Sequence, residues 1–148
     1  MAKFIGSYKA KVDDKGRLIF PSAFKSLLGE NADLRFVVKK SLFSDCIEMY
    51  TYEQWEKDSE KVRERLNFFN RENAIFWREY MRGTAVVEPD GKLGRFMIPK
   101  QLLDKVGISK EVIFAGNNDI IEVWDKDKYE SGEMESQEYV ALAEKILG

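Results

Sequence analysis

A short motif occurs twice in this chain, and that recurrence limits the possible folds more than anything else in it. The first copy is Asp13-Asp14-Lys15-Gly16-Arg17-Leu18-Ile19-Phe20-Pro21; the second is Asp90-Gly91-Lys92-Leu93-Gly94-Arg95-Phe96-Met97-Ile98-Pro99. Each has an acid, a Lys, a Gly and an Arg, then three apolar residues and a Pro. Each runs on into a short helical pattern closed by glycine, over residues 22–29 and 100–107. Such tandem, cation-bearing turns point to a pseudo-symmetric binding module rather than an enzyme site.

The flanking segments repeat as well. Tyr8, Ala10 and Val12 alternate with Ser7, Lys9 and Lys11, the period of a half-buried strand with a cationic outer face. A turn at 13–16, with Gly16 at positive φ, returns the chain as a second strand from Arg17, forming a hairpin. Pro21 suits the first helical position, and Gly29 the left-handed residue beyond the helix end. Phe24 and Leu28, four apart, give that helix its inward face. Strands over 34–38 and 46–50, around a loop at 39–45, match strands over 111–114 and 120–124 around a tight turn at 116–119. Each second strand leads into a helical start with an aromatic at the same place, Trp55 and Tyr129. The repeat is therefore roughly ββ-helix-ββ-helix.

Between the copies, a helical stretch is expected from about Tyr52 to Arg82. Its first part mixes charge signs, as on a solvated face, and its second carries Phe68, Phe69, Ile75, Phe76, Trp77, Tyr80 and Met81. That aromatic face calls for cover by the core or by a second subunit. A last amphipathic helix follows Gly132 through Tyr139, Leu142 and Ile146. The expected divisions are 1–56 for the first repeat, 57–82 for the connecting helices, 83–130 for the second repeat and 131–148 for the tail.

Composition narrows the function. The chain has 148 residues and is 44% hydrophobic and 13% aromatic, enough for a real core. Its apolar runs are too short to cross a bilayer, and residues 1–6 lack the features of a secretory leader. Cys46 is the one cysteine, read as a small buried residue in a strand, which fits a reducing cytoplasm. There is no histidine. Ser–His and Cys–His nucleophile pairs and the usual general base are thereby removed, and no cofactor or metal is expected. A net charge of −2 and a pI near 5.4 require any nucleic-acid surface to be local.

Taken together, these residues resemble the MraZ family of bacterial transcriptional regulators, from Phe4-Ile5-Gly6-Ser7-Tyr8 to about Tyr129. The family signature is Asp-x-x-x-Arg in each repeat, with Gly before the Arg and Pro four after it. Asp13, Gly16, Arg17 and Pro21 match in full. In the second copy Gly94, Arg95 and Pro99 match, but Gly91 stands where the acid belongs and Asp90 is one residue further back; one extra turn residue accounts for it. The resemblance implies an α+β fold: a closed, swapped-hairpin AbrB-like β-barrel of two tandem pseudo-symmetric repeats with flanking helices. It also implies ring-shaped homo-oligomers, cytoplasmic and nucleoid-associated. These would bind short direct repeats in duplex DNA upstream of the division and cell-wall gene cluster. No small-molecule effector is indicated.

On this reading Arg17 and Lys15 are the leading DNA contacts, Lys9 and Lys11 hold backbone phosphates, and Lys92 and Arg95 serve in the second copy. Asp13, Gly16, Pro21, Asp90, Gly94 and Pro99 shape the turns, since a carboxylate repels phosphate. From Lys9 to Arg17 four cations outnumber Asp13 and Asp14, whereas from Val86 to Arg95 two cations only balance Glu88 and Asp90. Repeat one is therefore expected to dominate. The competing reading is a structural or protein-interaction ring without specific DNA binding. An enzyme built on the turn carboxylates is the least supported.

Overall fold

The turn of each motif lies between two short strands that separate into different sheets. The computed structural model describes residues 3–148; Met1 and Ala2, the start of the segment read for a leader, lie outside the described residues. The first repeat contains β1 (Ser7–Lys11), β2 (Arg17–Ile19), α1 (Ser22–Leu28), β3 (Phe36–Lys40), β4 (Ile47–Thr51) and α2 (Tyr52–Glu64). After α3 (Arg71–Met81) the same order returns as β5 (Ala85–Val87), β6 (Arg95–Met97), α4 (Lys100–Lys105), β7 (Glu111–Asn117), β8 (Ile120–Asp125) and α5 (Lys126–Ser131). The tail forms α6 (Ser136–Leu147).

The strands interleave. A six-stranded antiparallel sheet runs β1-β7-β8-β4-β3-β5, and β2 pairs only with β6. Exchanging the repeats turns the six-strand order into its own reverse, so a pseudo-dyad passes between β4 and β8. Along that seam Glu48 lies directly opposite Glu122. Each carboxylate accepts a hydrogen bond from an aromatic of its own strand, Tyr50 Oη at 2.6 Å and Trp124 Nε1 at 3.0 Å. The expected β1–β2 hairpin is therefore corrected: the turn closes, but β1 is laddered to β7, with Tyr8 opposite Phe114, and β2 to β6. Leu18 and Phe96, 0% and 5% exposed, draw the ribbon onto the core rather than back along β1.

One apolar core joins both repeats, centred on Phe20, Phe24, Phe36, Phe96 and Phe114. Phe4 is also buried there, with its backbone paired to Asn118. A smaller cluster, on the other face of β3 and β4, packs Val37 and Tyr50 under Trp55 and Tyr80. There Tyr80 also covers buried Lys39, whose Nζ lies 3.9 Å from the ring centroid.

Local chemistry explains the boundaries. Thr51 and Asp125 hold equivalent N-cap positions, accepting bonds from Gln54 N and Lys128 N. Pro21 and Pro99 stand one residue before their helices instead of within them. Gly107 closes α4 at φ 71°, with Ile108 N bonded to Leu103 O and Gly107 N to Asp104 O. Gly29 also has positive φ, but its ψ of 172° puts it in the region open essentially to glycine alone rather than in the left-handed helical one. The helical stretch expected from about 52 to 82 divides into α2 and α3, where Asn70 caps the second helix through Asn73 N. Phe68 and Phe69 thus lie in a linker, and Phe69 is fully exposed. No residue of α6 is buried, and among the described residues no helix is long and apolar enough to cross a membrane.

Cys46 is fully buried, one residue ahead of β4 instead of inside it. Burial, with Glu122 and Glu48 nearby, pushes its thiol up to about 12. A thiol-reactive disulfide at pH 8 should label native protein at least about a hundredfold more slowly than denatured protein. Equal rates would contradict this packing.

Candidate nucleic-acid interface

The first turn is organised by one carboxylate. Asp13 Oδ1 accepts from Lys15 N at 2.9 Å and Arg17 N at 2.8 Å, while Oδ2 accepts from Arg17 Nε at 2.8 Å. The backbone closes the same loop, Asp13 N donating to Arg17 O and Gly16 N to Asp13 O, both at 2.9 Å. Gly16 takes φ 80°, which a side chain would strain. The contact with Arg17 uses Nε, the guanidinium donor nearest the chain.

The second turn repeats this plan with one residue added. Asp90 N donates to Arg95 O, as Asp13 does to Arg17, and Asp90 Oδ1 accepts from Lys92 N, Leu93 N and Gly94 N. Gly94 sits at φ 73°, the counterpart of Gly16. The added residue makes a wider loop and loosens the arginine: Arg95 Nε lies 3.9 Å from Asp90 Oδ2, against 2.8 Å in the first turn. Lys25 Nζ, from α1 of the other repeat, donates to Gly91 O at 2.8 Å and ties the wider loop down.

These carboxyls are held below the usual value of 3.8, Asp13 chiefly by the Arg17 backbone N–H and Asp90 chiefly by that of Leu93. A depressed folded-state pKa means that the turns are stabilised above the unfolded value and lose that support as pH falls through the folded one. Carboxyl NMR titration should give both groups midpoints below the ordinary 3.8, with the turn amides shifting along with them. A midpoint above 4 for either would refute these bonds.

Antiparallel pairing of β2 with β6 sets both arginines on one face of a two-stranded ribbon, Arg17 opposite Met97 and Ile19 opposite Arg95. Leu18 and Phe96 fill the other face. Lys15, Lys9, Lys11 and Lys92 are all exposed, the first three on repeat one. Where repeat one has Lys9 and Lys11, repeat two exposes Val86 and Glu88. The sequence reading missed Lys25 as a partner of the second turn, and Ile19 and Met97 as neighbours of the arginines. Two-residue periodicity counted onward from each arginine would have found the latter pair.

Two copies of one ββαββα unit, exchanged strand for strand and each presenting an arginine beside an acid-organised turn, define a tandem pseudo-dyadic module. Comparison with known proteins agrees: the chain belongs to the MraZ family, whose model, described as MraZ protein and antitoxin-like, matches residues 4–79 and again 80–145. Among its relatives, a transcriptional regulator MraZ from Christiangramia forsetii is 40% identical, over 100% of this chain and 95% of that one. Its namesake in Flavobacterium psychrophilum is 36% identical over 100% and 94%, and that in Acetivibrio thermocellus 39% over 98% and 99%. These relatives are named as regulators of transcription, not as enzymes.

Proposed function

We propose that this chain is a sequence-specific DNA-binding regulator of transcription. The observation that carries the reading is the placing of Arg17 and Arg95 on one exposed face of the β2–β6 ribbon. A ribbon of two strands fits the major groove, and an arginine there pairs with guanine through two parallel hydrogen bonds. Lys15 and Lys92 flank the ribbon at its turns, and Lys9 and Lys11 continue the cationic surface along β1 toward backbone phosphates. Because β2 follows β1 and β6 follows β5, the ribbon spans the two sheet edges, which supports an AbrB-like swapped-hairpin barrel.

The ribbon and the strand beside it offer few cations, so useful affinity comes from repetition. A ring-shaped homo-oligomer engaging several direct repeats upstream of the division and cell-wall cluster gains through effective concentration. The unpartnered apolar side chains of α3 and α6, Ile75 and Met81 among the former and Tyr139 and Ile146 among the latter, support assembly. They equally favour the second reading, an interaction ring that does not read DNA.

Fluorescence anisotropy separates the two. The duplex upstream of the protein's own gene should bind selectively over a scrambled duplex, with affinity falling steeply as salt rises. Indifference to that duplex at low salt would leave the interaction ring as the better reading.

A further inference from the structure

Four side chains share the outward face of the β2–β6 ribbon, and only two of them are cations. The register places Met97 opposite Arg17 and Ile19 opposite Arg95. Arginine and an apolar side chain therefore alternate around the corners of a small rectangle. Ile19 is 57% exposed and Met97 56%, while their neighbours Leu18, Phe20, Phe96 and Ile98 are buried. A lone exposed apolar residue needs no explanation. These two, however, occupy the same place in both repeats, two residues after the motif arginine. The Met97 methyl also reaches the first turn, lying 3.9 Å from where a Gly16 side chain would begin. Packing does not account for them, since the core lies on the other face of the ribbon.

We infer that Ile19 and Met97 are specificity-determining contacts, packing against the C5-methyl groups of thymines beside the bases that Arg17 and Arg95 address. The inference rests on the DNA-binding reading above and names what that site reads besides guanine. Its dimensions fit. Strands about 4.8 Å apart leave room in a groove about 12 Å wide. An arginine and the apolar residue two positions on are separated by about 7 Å, close to two base steps of about 3.4 Å. The thymine methyl is the apolar feature of the major-groove edge, and its pattern distinguishes A·T from T·A. Each repeat thus carries one polar and one apolar reader, and the pseudo-dyad sets the two pairs head to tail.

The test uses the full chain and the duplex upstream of its own gene, with thymine replaced by uracil, which removes the methyl and keeps base pairing. Wild type should bind the uracil duplex more weakly, by about fourfold for each contacted methyl. In the variant combining Ile19→Ser and Met97→Ser the two duplexes should bind alike, with an unchanged salt dependence because no cation has been removed. Sedimentation should give both proteins the same mass. Equal binding of the two duplexes by wild type would overturn the inference while leaving DNA binding intact. So would a thymine preference retained in the variant, or a changed mass in place of a changed preference. Failure of wild type to prefer its upstream duplex over scrambled DNA would instead remove the DNA-binding reading itself, and the inference with it.

Discussion

Replacing Arg17 and Arg95 together by alanine is expected to abolish selective binding to the upstream duplex while leaving the fold intact. The fold survives because Asp13 keeps its bonds to the Lys15 and Arg17 backbone N–H groups, and Asp90 keeps three of its own. Binding fails because a well-formed arginine–guanine pair is worth about 1–3 kcal/mol, a loss of about five- to 150-fold per site, and the double variant removes two such pairs at once. Of the single variants, Arg17→Ala should be the more damaging. The Asp13 bond holds its guanidinium in place before DNA arrives, which lowers the ordering cost, whereas Arg95 stands 3.9 Å from Asp90. Arg17 also has Lys9 and Lys11 beside it where repeat two has Val86 and Glu88. Anisotropy at one fixed salt concentration, with circular dichroism as the control, decides the order. A larger loss from Arg95→Ala would reverse the expected dominance of repeat one.

Phe24→Ala should be the most destabilising of the simple core truncations near the interface, by about 3–5 kcal/mol. Phe24 is the buried residue of α1, and its ring meets those of Phe4, Tyr8 and Phe20 at 5.4, 5.0 and 6.2 Å. Removing it opens a cavity bordered by the N-terminal segment, β1 and α1, elements too short to collapse onto one another. The midpoint of thermal unfolding should fall by about 6–20 °C for a chain of this size. Phe69→Ala, at a fully exposed linker position, should change it little. Equal effects of the two substitutions would mean that Phe69 is covered in the assembled protein. Because Lys25 of α1 also anchors the second turn at Gly91, the Phe24 variant should lose DNA affinity at temperatures where its sheet remains folded.

Much of this architecture was legible in local pattern. The doubled motif marked both turns, and one inserted residue at 91–94 explained the displaced acid, as the matching Asp13–Arg17 and Asp90–Arg95 backbone bonds now demonstrate. Gly94 and Gly16 stood where positive φ was needed. Strand partnership was not legible: the alternation through Tyr8, Ala10 and Val12 indicates a buried face but carries no information about whether β2 or β7 lies alongside. The break after α2 was hidden for a related reason. Apolar residues continue through Phe68 and Phe69, while the stop depends on Asn67, Asn70 and Asn73 bonding one another's backbone and side chains. Ile19 and Met97 lie two residues beyond each arginine and so share its face by strand periodicity, but a reading of the motif for its charges passes over them.

The palindromic strand order has a consequence for how such a module can change. Two separate copies of a single-repeat chain, paired about a true dyad, would have to be identical on both sides, so any alteration of one turn would appear in the other. Here both halves belong to one polypeptide and cannot part. The second loop has accepted an extra residue, a slackened arginine and Glu88 in place of a lysine, while the first keeps its five-residue form. Covalent fusion releases the halves from having to be alike, so one turn can lengthen or loosen while the other keeps its form.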